Sequence, residues 1–315
     1  MGCSPVHLIK MRLQGAAILL IGCLMMGSPI PGGAAPKRKP SNLPVPARKN
    51  PVGGLAAGDY HITLKHDGQD REMLIRVPRR YDPGRKYPVI FGFHGAKGPM
   101  QGYHRQLQFL VEKEGVISVS PQGLTGRNRD VTMWNGFPGH RVGNVDDVGL
   151  VRKTVAYLDQ KASIDKQKIF ATGGSSGAIL CFRLALETDL FAGIAPMRGG
   201  MSDRLPVPRG RPRLSILLVC GGEDSLFIDG RSRGEGFRSA RKTMTLWAAN
   251  HGASGGATKI RETNELVLTR FGKRNADYEL QLYVVKGEGH ALKPPIMRQA
   301  LTHMWEVFSQ SNGHR

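Results

Sequence analysis

Cysteine is scarce in this chain, which contains only four in 315 residues. Cys3 and Cys23 precede the region that has a globular pattern. Cys181 lies in an apolar helical stretch, and Cys220 ends an apolar stretch typical of a strand. The short, paired spacings of a disulfide framework are absent. We therefore expect Cys181 and Cys220 to be small buried apolar residues, with neither a disulfide nor a reactive thiolate.

Acidic residues are also few. The chain has 25 of them against 45 lysines and arginines, which gives a formal net charge of +20, and most of this surplus lies after the first fifty residues. Such a surface attracts polyanions. However, the sequence lacks zinc-ligand spacings, the aromatic and basic signature of RNA-binding modules and a helix-turn-helix pattern. The charge therefore predicts attraction to acidic polysaccharides or an envelope surface and no nucleic-acid partner. A generally solvated basic surface is the open alternative.

Metal-ligand clusters are missing as well. Asp146 and Asp147 are adjacent carboxylates, but no third ligand lies near them in the sequence. Their place at the start of an apolar helical stretch is typical of a helix N-terminus, where negative charge is stabilised. The sequence therefore predicts neither a metal nor a cofactor.

A long apolar segment occurs only near the start of the chain, where Lys10 and Arg12 precede "GAAILLIGCLMM" and the small-residue stretch "PGGAA" follows. This layout predicts a signal peptide over residues 1–35 and export of the protein. Cleavage near Ala34 is the favoured processing route. Lipid attachment at Cys23, where "LIGC" is similar to a lipobox, remains an alternative, although bulky residues follow that cysteine. A retained anchor helix is disfavoured because the segment is short for a bilayer.

The rest of the chain divides into a linker and one domain. Residues 36–54 are basic and proline-rich without apolar periodicity, which predicts an extended linker. In residues 55–315 the patterns alternate, beginning with a hairpin signal around "HDGQ". Strands are predicted at "YPVIFGFHG", "GVISVSP", "KIFATG", "AGIAPM", "RLSILLVCG" and "LQLYVVKG", and helices at 147–161, "GAILCFRLALE", "RSARKTMTLWAANHG" and "IMRQALTHMWEVFSQ". This alternation predicts an α/β fold, with a doubly wound, mostly parallel sheet that begins with an antiparallel hairpin.

The segment "TGGSSGA" places Gly173 and Gly177 on either side of Ser175. A serine in a sharp turn between a strand and a helix needs such neighbours, because side chains there would collide with the backbone. The strand "KIFA" before it and a nearly all-apolar helix after it fit the G-x-S-x-G nucleophile elbow of α/β-hydrolases. We therefore predict that Ser175 is a catalytic nucleophile.

A serine nucleophile needs a histidine to take its proton and a carboxylate to orient that histidine. Asp224 follows one later strand and His290 follows another, in the chain order expected for this fold. Glu223 is the rival carboxylate, but the shorter Asp224, farther into its loop, is the favoured acid. Three other histidines at a helix end, in the closing helix and in the tail are expected at the surface: His251, His303 and His314.

Two further sets of residues are predicted to surround the serine. The backbone amides of Ala96 and Ser176 are candidates for the oxyanion hole, with Gly95 allowing a close approach and His94 shaping the loop. Trp134 and Asn135, in a glycine-rich loop, are candidates for a substrate groove, with core packing as an equal alternative. Trp247 lies inside a helical pattern and is assigned to the core.

The set "PVIFGFHG", "WNG", "DDVGLVRKTVAYL", "KIFATGGSSGA", "GIAPM", "GGEDS" and "GEGH" resembles the secreted family of polyhydroxybutyrate depolymerases and feruloyl or acetylxylan esterases over residues 58–310. The resemblance implies an α/β-hydrolase with the triad Ser175, Asp224 and His290. It implies a secreted serine esterase that acts through an acyl-enzyme on polyhydroxyalkanoate or on feruloyl or acetyl polysaccharide esters. Ala96, Ser176 and the segment "ALKPP" after the histidine depart from the usual family residues. A serine peptidase of the same fold and an inactive, carbohydrate-binding hydrolase fold remain alternatives.

Overall fold

The computed structural model describes residues 48–49, 53–126, 131–140, 142–230, 236–275 and 277–311. The predicted signal peptide, Cys23 and most of the predicted linker lie outside these residues. Within them, no helix combines the length and the apolar character needed to span a membrane.

The strands and helices are numbered in chain order. The strands are β1 (Arg48–Lys49), β2 (Gly58–His66), β3 (Gln69–Val77), β4 (Tyr87–Phe93), β5 (Ile117–Pro121), β6 (Leu124–Thr125), β7 (Thr132–Met133), β8 (Ile164–Gly174), β9 (Gly193–Met197), β10 (Ser215–Gly221), β11 (Ala257–Glu262), β12 (Leu266–Phe271) and β13 (Leu280–Val285). The helices are α1 (Met100–Glu114), α2 (Asp147–Lys161), α3 (Ser176–Glu187), α4 (Ser225–Ile228), α5 (Ala240–Asn250) and α6 (Pro294–Ser309).

One large sheet organises the fold, in the order β1-β2-β3-β5-β4-β8-β9-β10-β13-β12-β11. Its central strands, from β5 to β13, are parallel. The pairs at the two sides, β2 with β3 and β11 with β12, are antiparallel. The expected doubly wound, mostly parallel sheet with an N-terminal hairpin is confirmed, and it is the α/β-hydrolase fold. Strand β1, within the predicted linker, pairs with Tyr60 and His61.

The predicted hairpin is formed by β2 and β3, which pair from Gly58 with Val77 to His66 with Gln69. Asp67 and Gly68 make the turn with φ values of 51° and 70°. Two successive positive φ values match the twist of the strands, which is why an Asp-Gly pair is favoured there.

The core lies on both faces of the sheet. Strand β4 shows the alternation, because Val89 and Phe91 belong to one buried cluster and Ile90 to the other. Helices α2, α3 and α5 cover the first face, whereas α1 and α6 cover the second. Helix α3 is buried along almost its whole length, as its sequence predicted.

Two expectations about buried residues are confirmed. Cys181 and Cys220 are buried and free, and burial raises the pKa of both thiols, that of Cys220 to about 12. Such thiols carry little thiolate and are unreactive at neutral pH. Trp247 is fully buried in α5.

The parallel arrangement determines where the loops meet. Strands β8, β9, β10 and β13 run in one direction, so their carboxyl ends lie along the same edge of the sheet. The segments that follow β8, β10 and β13 contain Ser175, Asp224 and His290 respectively. Ligands of open α/β sheets bind at this edge.

Candidate active site

Ser175 occupies the sharp turn that its sequence predicted. Its backbone has φ 52° and ψ −113°, a conformation that a serine adopts only when its surroundings impose it. A β-carbon at Gly173 would lie 2.5 Å from the backbone carbonyl carbon of Gly177, and one at Gly177 would overlap the carbonyl of Phe93. Both glycines are therefore required by the close approach of β8, α3 and β4.

Three side chains from different loops meet at this turn. The Oγ atom of Ser175 lies 3.1 Å from Nε2 of His290. The Nδ1 atom of the same ring lies 2.8 Å from Oδ2 of Asp224. Asp224 is buried with a side chain only 5% exposed, whereas the His290 side chain is 49% exposed. The geometry lets Asp224 accept a hydrogen bond from the Nδ1–H of His290 and leaves Nε2 free to receive the serine proton.

The acid loop and the histidine loop are held against each other. The amide of Glu223 donates to the carbonyl of Glu288 at 3.0 Å, and a β-carbon at Gly221 would overlap the backbone of Glu288 and Gly289. The ring of Phe227 lies 5.6 Å from the His290 ring, centroid to centroid. Glu223 itself is exposed, so the structure brings Asp224 and not its neighbour to the histidine.

The loop after β4 lies directly beside the serine. A β-carbon at Gly95 would lie 3.3 Å from the carbonyl oxygen of Gly174 and 3.5 Å from Cβ of Ser175, so this loop packs closely against the serine turn. His94 is buried, and its Nδ1 bonds the Gly95 carbonyl at 2.7 Å while its Nε2 accepts from the Gly123 amide at 2.9 Å. Burial lowers the pKa of His94, which keeps it neutral and able to accept that bond. It therefore shapes the loop that carries Ala96, as the sequence predicted.

Trp134 and Asn135 require a correction. Trp134 is fully buried and Asn135 is 6% exposed, so neither side chain offers a surface to a substrate. The Trp134 indole donates from Nε1 to the His94 carbonyl at 2.8 Å, and its backbone amide donates to Oγ of Ser176 at 3.1 Å. Both side chains therefore pack in the protein interior, which was the alternative that the sequence left open. Trp134 connects the loop after β4 to the elbow helix.

A buried ion pair holds the backbone next to this tryptophan. The sequence did not reveal this ion pair. Arg71 and Asp147 are each 1% exposed, and Nη2 of Arg71 lies 2.6 Å from Oδ1 of Asp147. The other carboxylate oxygen accepts the Asn135 amide at 2.7 Å. Asp146 caps α2 through the Gly149 amide, as a helix N-terminus predicts. Arg71 lies in β3 beside other charged residues, so no local pattern marked it for this ion pair.

The expectation that His251 lies at the surface is wrong. Its ring is 1% exposed and bonds the backbone of Leu214 through Nε2 and the carbonyl of Trp247 through Nδ1. The histidine thereby joins α5 to the segment before β10, a contact between distant parts of the chain. Within the part of the chain that the structure describes, no three His, Cys, Asp or Glu side chains form a group able to hold a metal ion.

Comparison with known proteins gives matches in sequence and in structure. No protein-family model matches the chain. The probable feruloyl esterase C of Aspergillus flavus is 28% identical over 142 residues, which are 43% of this chain and 49% of that protein. Feruloyl esterase C of Emericella nidulans is 26% identical over 139 residues, 42% of this chain and 47% of that protein. The chain thus spans about half the length of the curated relatives that it matches.

Solved structures match over a larger share of the chain. An acetyl xylan esterase from Aspergillus awamori superposes with a TM-score of 0.59 and 16% identity, covering 81% of this chain and 100% of that one. The poly(3-hydroxybutyrate) depolymerase LpqC from Bordetella parapertussis has a TM-score of 0.52 and 17% identity, covering 79% and 89%. The chain therefore has the α/β-hydrolase fold and is similar in sequence to feruloyl esterases and in architecture to other esterases of that fold.

Proposed function

We propose that this protein is a serine hydrolase of carboxylic esters. The observation that carries the proposal is the continuous contact from Ser175 through His290 to the buried Asp224, with distances of 3.1 and 2.8 Å. A hydroxyl, an imidazole and a carboxylate in this order form the constellation that makes serine nucleophilic. The sequence similarity to feruloyl esterases supports an ester as the substrate.

The reaction follows from these contacts. His290 takes the proton of Ser175 as Oγ attacks the ester carbonyl, and the charge on the carbonyl oxygen is stabilised by the amides of Ala96 and Ser176. The tetrahedral intermediate collapses, His290 gives the proton to the departing alcohol, and an acyl-serine remains. Water, activated by the same histidine, then releases the acid and restores the serine.

The natural substrate belongs, in this proposal, to the feruloyl or acetyl esters of polysaccharides or to polyhydroxyalkanoates. The sequence and structural relatives suggest the feruloyl and acetyl esters. The similarity of architecture to a depolymerase suggests the polyhydroxyalkanoates. The apolar segment and small residues at the start of the chain, which predict export, support action on polymers outside the cell. Secretion is therefore part of the proposal.

Purified protein should be assayed with methyl ferulate, acetylated xylan, polyhydroxybutyrate film and short nitrophenyl esters. Ser175→Ala and His290→Ala are each expected to lower kcat by several orders of magnitude. The double variant should be little worse than either, because the two residues act as one unit.

Two results would contradict the proposal. Undiminished ester turnover in Ser175→Ala would show that Ser175 is not the nucleophile. Rapid cleavage of peptide anilides with no ester turnover would favour the peptidase alternative. Correct folding of each variant should be verified by its circular dichroism spectrum, so that loss of activity is assigned to chemistry.

A further inference from the structure

A cavity of about 800 Å³ lies between α1 and α6, and Ser175 is not among the residues that line it. Leu292, Met297 and Leu301 are buried and give it apolar walls, and Phe109 adds an aromatic ring. This volume is typical of small-molecule sites, which combine apolar walls with a few polar groups that converge on the ligand.

Its polar groups are mainly cationic. Arg105, Arg198 and Arg298 all border the cavity. None of the three forms an ion pair with any carboxylate among the described residues, whereas Glu112, the acidic residue of the lining, lies 3.9 Å from Arg79. Arg298 lies over the Phe109 ring, 4.6 Å from its centroid. The cavity therefore has a net positive charge.

Arg198 at the base of the cavity is held under strain. Its φ of 54° is in the left-handed region, which costs a non-glycine residue free energy. Its Nε atom is buried and has no hydrogen-bond acceptor among the residues that the structure describes. Its guanidinium lies close to Gly174, where a β-carbon would be 2.6 Å from Nη2. A strained backbone and an unsatisfied buried N–H are both retained at ligand-binding positions more often than in plain packing.

We propose that this cavity binds an organic monocarboxylate with an apolar or aromatic body. The carboxylate would accept hydrogen bonds from Arg198, because a guanidinium matches the geometry of two carboxylate oxygens. The body would pack on Leu292, Met297 and Phe109, with Arg298 and Arg105 at the rim. A small inorganic anion lacks the apolar body and would bind more weakly.

The cavity lies next to the chain segments that form the proposed triad. Gly174, which precedes Ser175, lies beside Arg198, and Leu292, which follows His290 by two residues, lines the cavity, so a ligand there would lie next to both segments that form the proposed triad. If the proposed function holds, the acid released from the ester has the chemical character that the cavity selects. The binding itself does not depend on that function.

Calorimetry on Ser175→Ala protein tests the site without turnover. Ferulate should bind, and inorganic phosphate and acetate should bind much more weakly, as should methyl ferulate once a phosphonate on Ser175 of the wild-type protein blocks the active site. Adding Arg198→Gln or Arg298→Gln should weaken ferulate binding at least about tenfold, the loss expected for one charge-assisted hydrogen bond. Arg241→Gln is the matched control, because Arg241 also lies over an aromatic ring, that of Phe271, but outside the cavity. It should leave the affinity unchanged.

Two further measurements keep the result decisive. Arg198→Gly relieves the positive φ, so it should fold at least as stably as the parent and still lose ferulate binding. Wild-type protein with a phosphonate on Ser175 should still bind ferulate, because the phosphonate blocks the catalytic site and leaves the cavity open. Failure of the phosphonate to attach would count against the proposed function alone. Unchanged ferulate affinity in Arg198→Gly and Arg298→Gln, or equal binding of methyl ferulate, would overturn the second site.

Discussion

Glu223 and Asp224 are neighbouring carboxylates, and only their surroundings distinguish them. Asp224 is buried and its Oδ2 lies 2.8 Å from Nδ1 of His290. Glu223 is exposed and takes part in the loop contact through its backbone amide. In the proposed mechanism, the Asp224 carboxylate fixes the histidine tautomer and stabilises the cation that forms during catalysis.

Asp224→Asn is therefore expected to lower kcat by about 10⁴-fold, as for the same change in other triads. The NH2 group of asparagine can donate to Nδ1 and so favour the wrong tautomer, and the uncharged amide cannot stabilise the histidine cation. Glu223→Gln, the matched neighbour, should keep most of the activity. Steady-state kinetics on a nitrophenyl ester will decide, and the reverse ranking of the two variants would reject Asp224 as the orienting acid.

Some residues of the site could be predicted from the sequence, and others could not. Ser175, Asp224 and His290 were found because a motif and the order of strand ends specify them locally. The roles of Trp134 and His251 were not predictable, because the direction of a side chain is decided by contacts with residues far along the chain. Arg71 and Asp147 are 76 residues apart, and no local pattern connects them.

At the scale of elements, the loop of Trp134 connects the loop after β4 to helix α3. Trp134→Phe keeps an aromatic ring but removes the indole N–H that bonds the His94 carbonyl. We expect kcat to fall about tenfold with little change in KM, because small displacements of groups that stabilise the transition state are costly.

Trp247→Phe is the matched control for that substitution. Trp247 is equally buried, but its Nε1 has no hydrogen-bond partner among the described residues, and it lies in α5. Its kcat should be unchanged even if its melting temperature falls. Equal losses of kcat in the two variants would show that packing, and not the hydrogen bond to His94, matters.

A buried charge cluster fastens the hairpin to α1. The Asp59 carboxylate is bonded by Arg76 at 2.5 and 2.9 Å and lies 3.1 Å from Nε2 of His104. Burial opposes ionisation of Asp59, but the hydrogen bonds and charges of His104 and Arg76 outweigh it and hold the pKa of this carboxyl well below its ordinary value.

Asp59→Asn should lower the free energy of unfolding by about 3 kcal/mol at pH 7, as expected when one member of a buried pair is removed. Because its folded pKa is depressed, the contribution of Asp59 is complete above the unfolded pKa of about 3.9 and is lost as the pH falls toward the folded value. Urea unfolding at several pH values measures this. Asp70→Asn, in an exposed pair with Lys65, should cost less than about 1 kcal/mol. A difference between wild type and Asp59→Asn that persists undiminished in strong acid would contradict the assignment.

The elements themselves were predicted unevenly. The hairpin, the buried parallel strands and helix α2 follow from strong periodicity, and α2 matches its predicted bounds exactly as residues 147–161. Helix α1 was not predicted, because Gln101 and His104 are buried among its apolar residues and weaken its pattern. Strand β11 is exposed along its whole length and shows no alternation to recognise. Strand order depends on packing and does not follow from any one segment.

At the scale of the molecule, the surplus of positive charge predicts an effect of salt. Attraction of the basic surface to an acidic polysaccharide acts between exposed charges, and physiological salt screens it beyond a Debye length of about 8 Å. Rising ionic strength should therefore lower kcat/KM on an esterified acidic polysaccharide and leave that on a neutral nitrophenyl ester nearly constant. Equal changes of kcat/KM for the two substrates would favour the alternative of a generally solvated basic surface. They would also favour neutral polymers as the natural substrates.

The topology also sets when activity can arise during synthesis of the chain. His290 follows Ser175 by 115 residues, and β13, just before it, is inserted between β10 and β12 and is not added at an edge. A nascent chain can pair β4 with β8 and form the elbow long before β13 leaves the ribosome, yet it has no imidazole beside the serine. Pairings over such sequence separations form slowly. Ester turnover would therefore begin only after the last parallel strand has joined the sheet. Every chain that stops before residue 290 would be partly folded but would not hydrolyse esters.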